Sequence, residues 1–294
     1  MFDAAPTADP IPLQQSDAFE RTLRALGQPV RRLEDGTLAV HRSFGPLPVH
    51  MISRPQAASP EALLTAAKRL GSRGPVILAP ERPLPLDRIG ALPLVSPNTV
   101  ARLELRPDLG TLKAKLHQKW RNRLRHAQKQ DLRVKRQNMP DDPGHWLLQA
   151  DALQQSQRRY RSWPTALTLA YGRENPSQSK LFTAFWGRES VAAMLILRHG
   201  TTATYHIGHA RASGRIASAH TLLMWEVICW AQKKGIDHLE LGLIDTEEGQ
   251  GLARFKLGTG ARAHRLGGTW VWWPPMSRLF APIARLDRGL MRGT

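Results

Sequence analysis

Ser16 stands before Phe19, Leu23 and Leu26, an i, i+4, i+7 stripe closed by Gly27, and this spacing predicts a short helix. Between Leu38 and Ile52 the pattern changes to two short strands around a Gly45–Pro46–Leu47–Pro48 turn. Ser59–Pro60–Glu61 opens a second helix reaching about Leu70, because Ser can cap, Pro suits the first helical position and Glu faces the positive end of the dipole. Pro75–Ala79 reads as a buried strand, followed by a Pro-rich connection through Pro97 and a strand at Thr99–Leu105. From Asp108 onward Leu112, Leu116, Trp120, Leu124 and Ala127 form one buried stripe on a helix that is otherwise basic or polar. A strand at Leu132–Lys135 follows.

The second half predicts a helix at 145–160 and three strands, Lys180–Trp186, Ser190–Arg198 and Thr201–His209, joined by links short enough for antiparallel hairpins. A helix from Ala217 to Lys234 ends at Gly235 and leads into a strand at Asp237–Ile244. A short helix near Leu252–Leu257 and a strand at Thr269–Trp273 complete the series. A meander followed by a crossover helix into a neighbouring strand implies a mixed sheet with flanking helices, hence an α/β (α+β) fold. Pro140, Asp141, Asp142 and Pro143 mark a domain boundary, giving an N-terminal domain over 1–138, a second over 139–275 and a tail over 276–294. The tail sets Leu279, Phe280, Ile283, Leu286 and Leu290 among Arg278, Arg285, Arg288 and Arg292, a basic amphipathic pattern suited to an anionic membrane surface or to packing across the domain.

Composition narrows the classes. The 294 residues hold 42 Lys and Arg against 24 Asp and Glu, a formal charge of +18 that points to nucleic acid, anionic lipid or phosphorylated partners. Ten of those cations lie within 113–136, Arg121, Arg123 and Arg125 among them, against the single acid Asp131. This run marks an anion-binding surface, and with Trp120 taken up by the apolar stripe it lacks aromatics for base stacking. One cysteine, Cys229, excludes an internal disulfide framework and Cys-based zinc, and it sits on an apolar helix as a core residue. No run approaches ~18 apolar residues and no secretory leader is evident, so the expectation is a reduced, cytoplasmic protein, with peripheral contact at the inner face of the membrane as a further option. His206 and His209, three apart on a regular strand, would face opposite sides and could not share a metal, so none is expected.

Three segments carry a family resemblance. They are Lys119–Trp120–Arg121–Asn122–Arg123–Leu124–Arg125–His126–Ala127, the helix from Ala219 through Leu222–Leu223–Met224–Trp225 to Trp230–Ala231, and Gly251–Leu252–Ala253–Arg254–Phe255–Lys256–Leu257–Gly258–Thr259–Gly260. Together they resemble the Fem-type acyl and aminoacyl transferases, a branch of the GNAT fold with two GNAT-like domains, and the resemblance spans roughly 100–273. It implies transfer of an acyl group from acyl-CoA to an amine, with aminoacyl-tRNA as the alternative donor and a cell-envelope precursor or an amine-bearing small molecule as acceptor. A third reading keeps the fold without chemistry, as a module binding RNA or anionic membrane. The resemblance makes the first domain a degenerate repeat, and it places Lys256 in the site as a stabiliser of developing negative charge.

The remaining candidates come from position. Arg211–Ala212–Ser213–Gly214–Arg215–Ile216 matches the pyrophosphate signature of CoA-using members except at Ile216, making Arg211, Gly214 and Arg215 candidate cofactor contacts. Arg254 is the fourth, set beside Lys256 ahead of a Gly-x-Gly that lets backbone approach an anion. Tyr205 and His209, taken to share one face of their strand, are candidate proton carriers, and His220 lies nearer the donor pocket. Asp245 ends a strand, where a carboxylate can face a ligand or cap the next turn.

Overall fold

The computed structural model describes residues 10–158, 162–245 and 249–273, so the tail at 276–294 lies outside the described residues. The first elements are α1 (Asp17–Ala25), β1 (Val30–Arg32), β2 (Leu38–Phe44), β3 (Leu47–Ser53), α2 (Pro60–Arg69), β4 (Val76–Ala79), β5 (Leu92–Val95) and β6 (Thr99–Glu104). Next come α3 (Leu109–Lys115), α4 (Gln118–Gln128), β7 (Leu132–Asn138), α5 (Trp146–Arg158), α6 (Thr165–Glu174), β8 (Ser179–Trp186), β9 (Glu189–His199) and β10 (Thr202–Ala210). The chain closes with α7 (Ala212–Ile216), α8 (Ala219–Lys233), β11 (His238–Leu243), α9 (Gln250–Leu257), β12 (Arg262–Arg265) and β13 (Thr269–Trp272).

These elements form two compact units, 10–99 with 265–273 and 100–264. The boundary expected at 138/139 therefore moves to 99/100. β6 pairs with β11 and β7 with β8, while Leu112, Leu116, Trp120, Leu124 and Ala127 enter the same core as α8. Cross-strand hydrogen bonds and a shared apolar core outweigh the Pro-Asp punctuation of 140–143, which is only a surface turn. β13, expected in the second domain, instead returns to the first sheet between β4 and β5.

The first unit has the strand order β1-β2-β3-β4-β13-β5, antiparallel except for β3 and β4, which α2 connects in parallel. Ser59 caps α2 by accepting from Ala62 N, and Leu63, Ala66, Ala67 and Leu70 bury its inner face on Ile52, Val76 and Leu78. β3 and β4 stay paired to their ends, Ser53 opposite Ala79. Immediately beyond, the guanidinium of Arg54 donates to Glu81 at 2.7 Å, both side chains buried, and closes the end of the pair.

The second unit repeats this plan on a larger scale, with order β12-β6-β11-β10-β9-β8-β7. β7 to β10 form the antiparallel meander, turning at Gly187 and Gly200, both with positive φ. β9 is an interior strand between β10 and β8, and Val191 to Leu197 are fully buried, which accounts for their unbroken apolar run. α8 crosses over from β10 to the parallel strand β11. It is apolar nearly all round because it lies between the sheet and α4, with Trp230 edge-on to Phe182 at 5.6 Å. The single helix expected from Asp108 is two: Leu116 is extended, and His117 starts α4 by accepting from Lys119 N. Leu112, Leu116 and Trp120 remain on one face across the break, so periodicity alone does not reveal it. α6, β5 and α7 are likewise absent from the sequence pattern, the first two behind prolines 164 and 93.

Candidate active site

β10 and β11 are registered only at Thr202–His238, Ala203–Leu239 and Thr204–Glu240. β10 then continues to Ala210 and β11 to Leu243 with no further pairing between them, so the sheet opens at the carboxyl ends of its parallel pair. The opening coincides with bulges in both strands, at His206 against β9 and at Leu241 against β6. The bulge at His206 reverses side-chain parity. Tyr205 lies opposite Ile196 but His209 lies opposite Ala193, and 196 and 193 face opposite sides of β9. Tyr205 and His209 therefore do not share a face, a correction of the period-two reading. By the same shift His206 and His209 do share one. His206 bonds Thr168 of α6 at 2.9 Å and His209 meets Trp146 of α5 edge-on at 6.1 Å. Among the described residues no group of three His, Cys, Asp or Glu side chains is placed to hold a metal.

On the α8 side, Tyr205 Oη lies 3.0 Å from His220 Nε2. A Cβ on Gly208 would fall 1.9 Å from that hydroxyl, so the strand can carry only glycine beneath it. Burial, with His209 nearby, pulls the His220 imidazole down to about 4, leaving it neutral at physiological pH. Its Nδ1 is buried without a hydrogen-bond partner. The pair is thus a hydroxyl aligned on an uncharged ring that can take or return a proton.

Across the opening, Lys256 of α9 is 5% exposed and donates from Nζ to the carbonyl of Leu243 at 2.6 Å. Burial lowers its ammonium to about 8, and the Glu240 carboxylate opposes that shift. Glu240 itself accepts from Arg102 at 3.3 Å. Phe255, which the sequence reading did not single out, sits 5.3 Å from His220 and 6.2 Å from Trp120, so one aromatic ring joins α4, α8 and α9. Arg254 points outward to Gln250 at 3.0 Å, because two residues on a helix are about 200° apart. It is not beside Lys256. The Gly-x-Gly does not await an anion either. A Cβ on Gly258 would meet Trp120 at 2.8 Å and one on Gly260 would meet Lys115 at 3.1 Å, while Gly258 O accepts from His117 N. The two glycines seat the basic helices against α9.

The expected phosphate loop opens a short helix. Residues 212–216 are helical, and a Cβ on Gly214 would lie 2.2 Å from Val191 O, so this glycine faces the sheet. Arg215 donates to Ala210 O at 2.7 Å. Arg211 pairs with Glu189 at 3.2 Å and lies 5.1 Å over the Trp146 ring. Gly214→Ala should cost about 1–3 kcal/mol in chemical denaturation, since backbone must shift to admit the methyl. Unchanged stability would show that α7 can move off β9. Asp245 is exposed at the end of β11 and packs over Gly249 at the entry to α9. On α4, Arg123 and Arg125 are exposed and Arg121 is half-buried, donating to Ala114 O.

A sheet opened between two parallel strands, with a crossover helix starting at the opening, is a recurrent acyl-transfer scaffold, and the family model of the acetyltransferase (GNAT) domain matches residues 114–264. The chain belongs to the GNAT acetyltransferase domain family. It is therefore an acyltransferase, and the matched span lies within the second unit. Among solved structures, FemX superposes on this GNAT protein with a TM-score of 0.73 at 13% identity, covering 94% of this chain and 95% of that one. L-PGS from Bacillus licheniformis gives 0.52 at 13% identity, covering 95% and 98%. The C-terminal domain of a putative lysylphosphatidylglycerol synthetase from Agrobacterium fabrum gives 0.51 at 14%, covering 88% of each chain. At these identities the likeness is one of fold, and it places both sheets within a tandem GNAT-like architecture. No curated protein matches the chain. Only the second unit keeps the opening, since Arg54 and Glu81 close the equivalent place in the first. Within 211–216 the glycine packs on β9, Arg215 donates to Ala210 O and Arg211 pairs with Glu189.

Proposed function

We propose that this GNAT protein transfers an acyl group from an ester or thioester donor to an amine, with the chemistry held in the second unit. The observation that carries this reading is the placement of a Tyr205–His220 pair and a buried Lys256 at the open end of one parallel strand pair. Attack by a neutral amine builds negative charge on the acyl oxygen, and the desolvated Lys256 ammonium is the cation placed to stabilise it. The Tyr205 hydroxyl, backed by a neutral imidazole, hands its proton to the departing oxygen or sulfur, and the phenolate takes back the proton that the acylated nitrogen sheds. Asp245 stays a candidate for orienting the acceptor, given its place at the end of β11.

Two carriers of the acyl group share this chemistry, acyl-CoA and aminoacyl-tRNA. The acceptor class is an amine-bearing small molecule or a cell-envelope precursor. Native mass spectrometry of freshly purified protein, paired with thermal shift, separates the donors. A donor that binds only the folded state raises Tm by mass action. Co-purified CoA with a clear shift in millimolar CoA is the expected result, and retained aminoacyl-tRNA with no such shift would assign the alternative donor. A protein that binds neither, and transfers no acyl group from either, would remove the catalytic reading.

A further inference from the structure

α4 is fixed at both ends of the candidate site. At its first turn His117 N donates to Gly258 O, just past α9, and at its last turn His126 Nε2 lies 3.2 Å from Ile216 O, at the last residue of α7. α7 follows the carboxyl end of β10 and α9 follows that of β11, so the basic helix spans the open end of the sheet. Its cations are unmatched. Elsewhere arginines pair with carboxylates, as in Arg102–Glu240, Arg106–Asp237, Arg173–Asp141 and Arg211–Glu189. Among the described residues, none of the ten Lys and Arg in 113–136 has a recorded ion pair; Arg121 and Arg125 bond only Ala114 O and Asn122 Oδ1.

Large aliphatic side chains project at the same end. Ile216, at the α7 junction, is 73% exposed, and Leu243, whose carbonyl holds Lys256, is 54% exposed. Leu252 and Leu257 of α9 are exposed as well, the latter next to the Gly258 junction. Isolated exposed aliphatics need no explanation, but four at the end of the sheet that an uncompensated cationic helix spans do. We propose that this face docks on an anionic lipid bilayer, with the cations at the headgroups and Ile216, Leu243, Leu252 and Leu257 entering the interface. A phosphodiester backbone would account for the cations but gives no reason to expose the aliphatics, and Trp120, the aromatic of this helix, is buried where it cannot stack on bases. Docked in this way, the opening of the sheet faces the headgroups, so a lipid-borne substrate is the class the site would meet. That last step rests on the acyl-transfer reading, whereas the docking itself does not.

The test is co-sedimentation of the full chain with phosphatidylcholine vesicles, with and without phosphatidylglycerol, at physiological salt. The wild type should sediment with the anionic vesicles and stay in solution with the neutral ones. Replacing Arg121, Arg123 and Arg125 together by Gln should weaken partitioning by about 100-fold, given ~1 kcal/mol for each cation near an anionic surface. I216S/L252S should weaken it several-fold, with the circular dichroism and Tm of both variants unchanged. Equal partitioning to both vesicle types, or variants that bind as the wild type does, would overturn the proposal. Absence of vesicle binding together with salt-dependent retention of bulk tRNA, insensitive to I216S/L252S, would assign the face to RNA instead. Vesicle binding without any acyl transfer would leave the docking intact and count against the catalytic reading alone.

Discussion

Lys256→Met should lower acyl transfer by about 10²–10³-fold, the usual effect of removing one preorganised stabiliser of developing negative charge. The side chain is buried, and its Nζ lies on Leu243 O at the point where β10 and β11 have separated. Methionine keeps the length and packing of the stem. It leaves Leu243 O without its donor, at about 1 kcal/mol, but it also removes an ammonium that burial disfavours, so stability should change little. Because burial brings the ammonium to about 8, transfer that depends on the cation should fall as pH rises through that value. The measurement is single-turnover transfer with the donor that co-purifies, followed across pH beside equilibrium denaturation of the same variant. Full transfer in Lys256→Met, or a wild-type profile flat through pH 8, would take Lys256 out of the chemistry. A variant that is fully active but much less stable would make the lysine a packing residue of α9.

Acid should destabilise the second unit in a specific window. Burial lowers both His206 and His220 from 6.5 to about 4, with His209 adding a smaller push on His220. Between those two values the unfolded chain binds a proton at each imidazole that the native state excludes. Stability therefore rises with pH across the window, is fully present above 6.5, and is lost as pH falls toward 4. Linkage gives on the order of 3 kcal/mol per histidine, a large share of the ~5–15 kcal/mol that a domain has. Urea denaturation at stepped pH should show this loss in the wild type and a flattened profile in H206F/H220F, which cannot titrate at either position. Parallel profiles would mean that both rings are solvated enough to ionise in the native state. The two positions also report separately. His206 is held by Thr168 on one side of the sheet, His220 by Tyr205 on the other.

Local chemistry made much of this protein legible from its sequence. The apolar run from Val191 to Leu197, the all-round apolar helix from Ala219 and the Gly235 stop specify a buried strand, a covered helix and its end, because burial and capping are decided by near neighbours. Ser59–Pro60–Glu61 likewise fixed the start of α2. The short helix expected near Leu252–Leu257 is α9, and the meander-crossover order gives the mixed sheet.

Three things only the tertiary structure decided. The return of β13 to the first sheet joins residues far apart in the chain, and no local pattern distinguishes which of two sheets a short Trp-Val-Trp strand will enter. The bulge at His206 inserts one residue into β10 and reverses every face after it, so a period-two count places His209 with Tyr205 when it belongs with His206. The glycines at 214, 258 and 260 read as openings for a ligand, because a glycine in sequence says only that a side chain is unwelcome. Which neighbour excludes that side chain — Val191 O, Trp120 or Lys115 — depends on packing between elements far apart in the chain, and that packing seats Gly214 on β9 and makes the Gly-x-Gly the anchor of the basic helix.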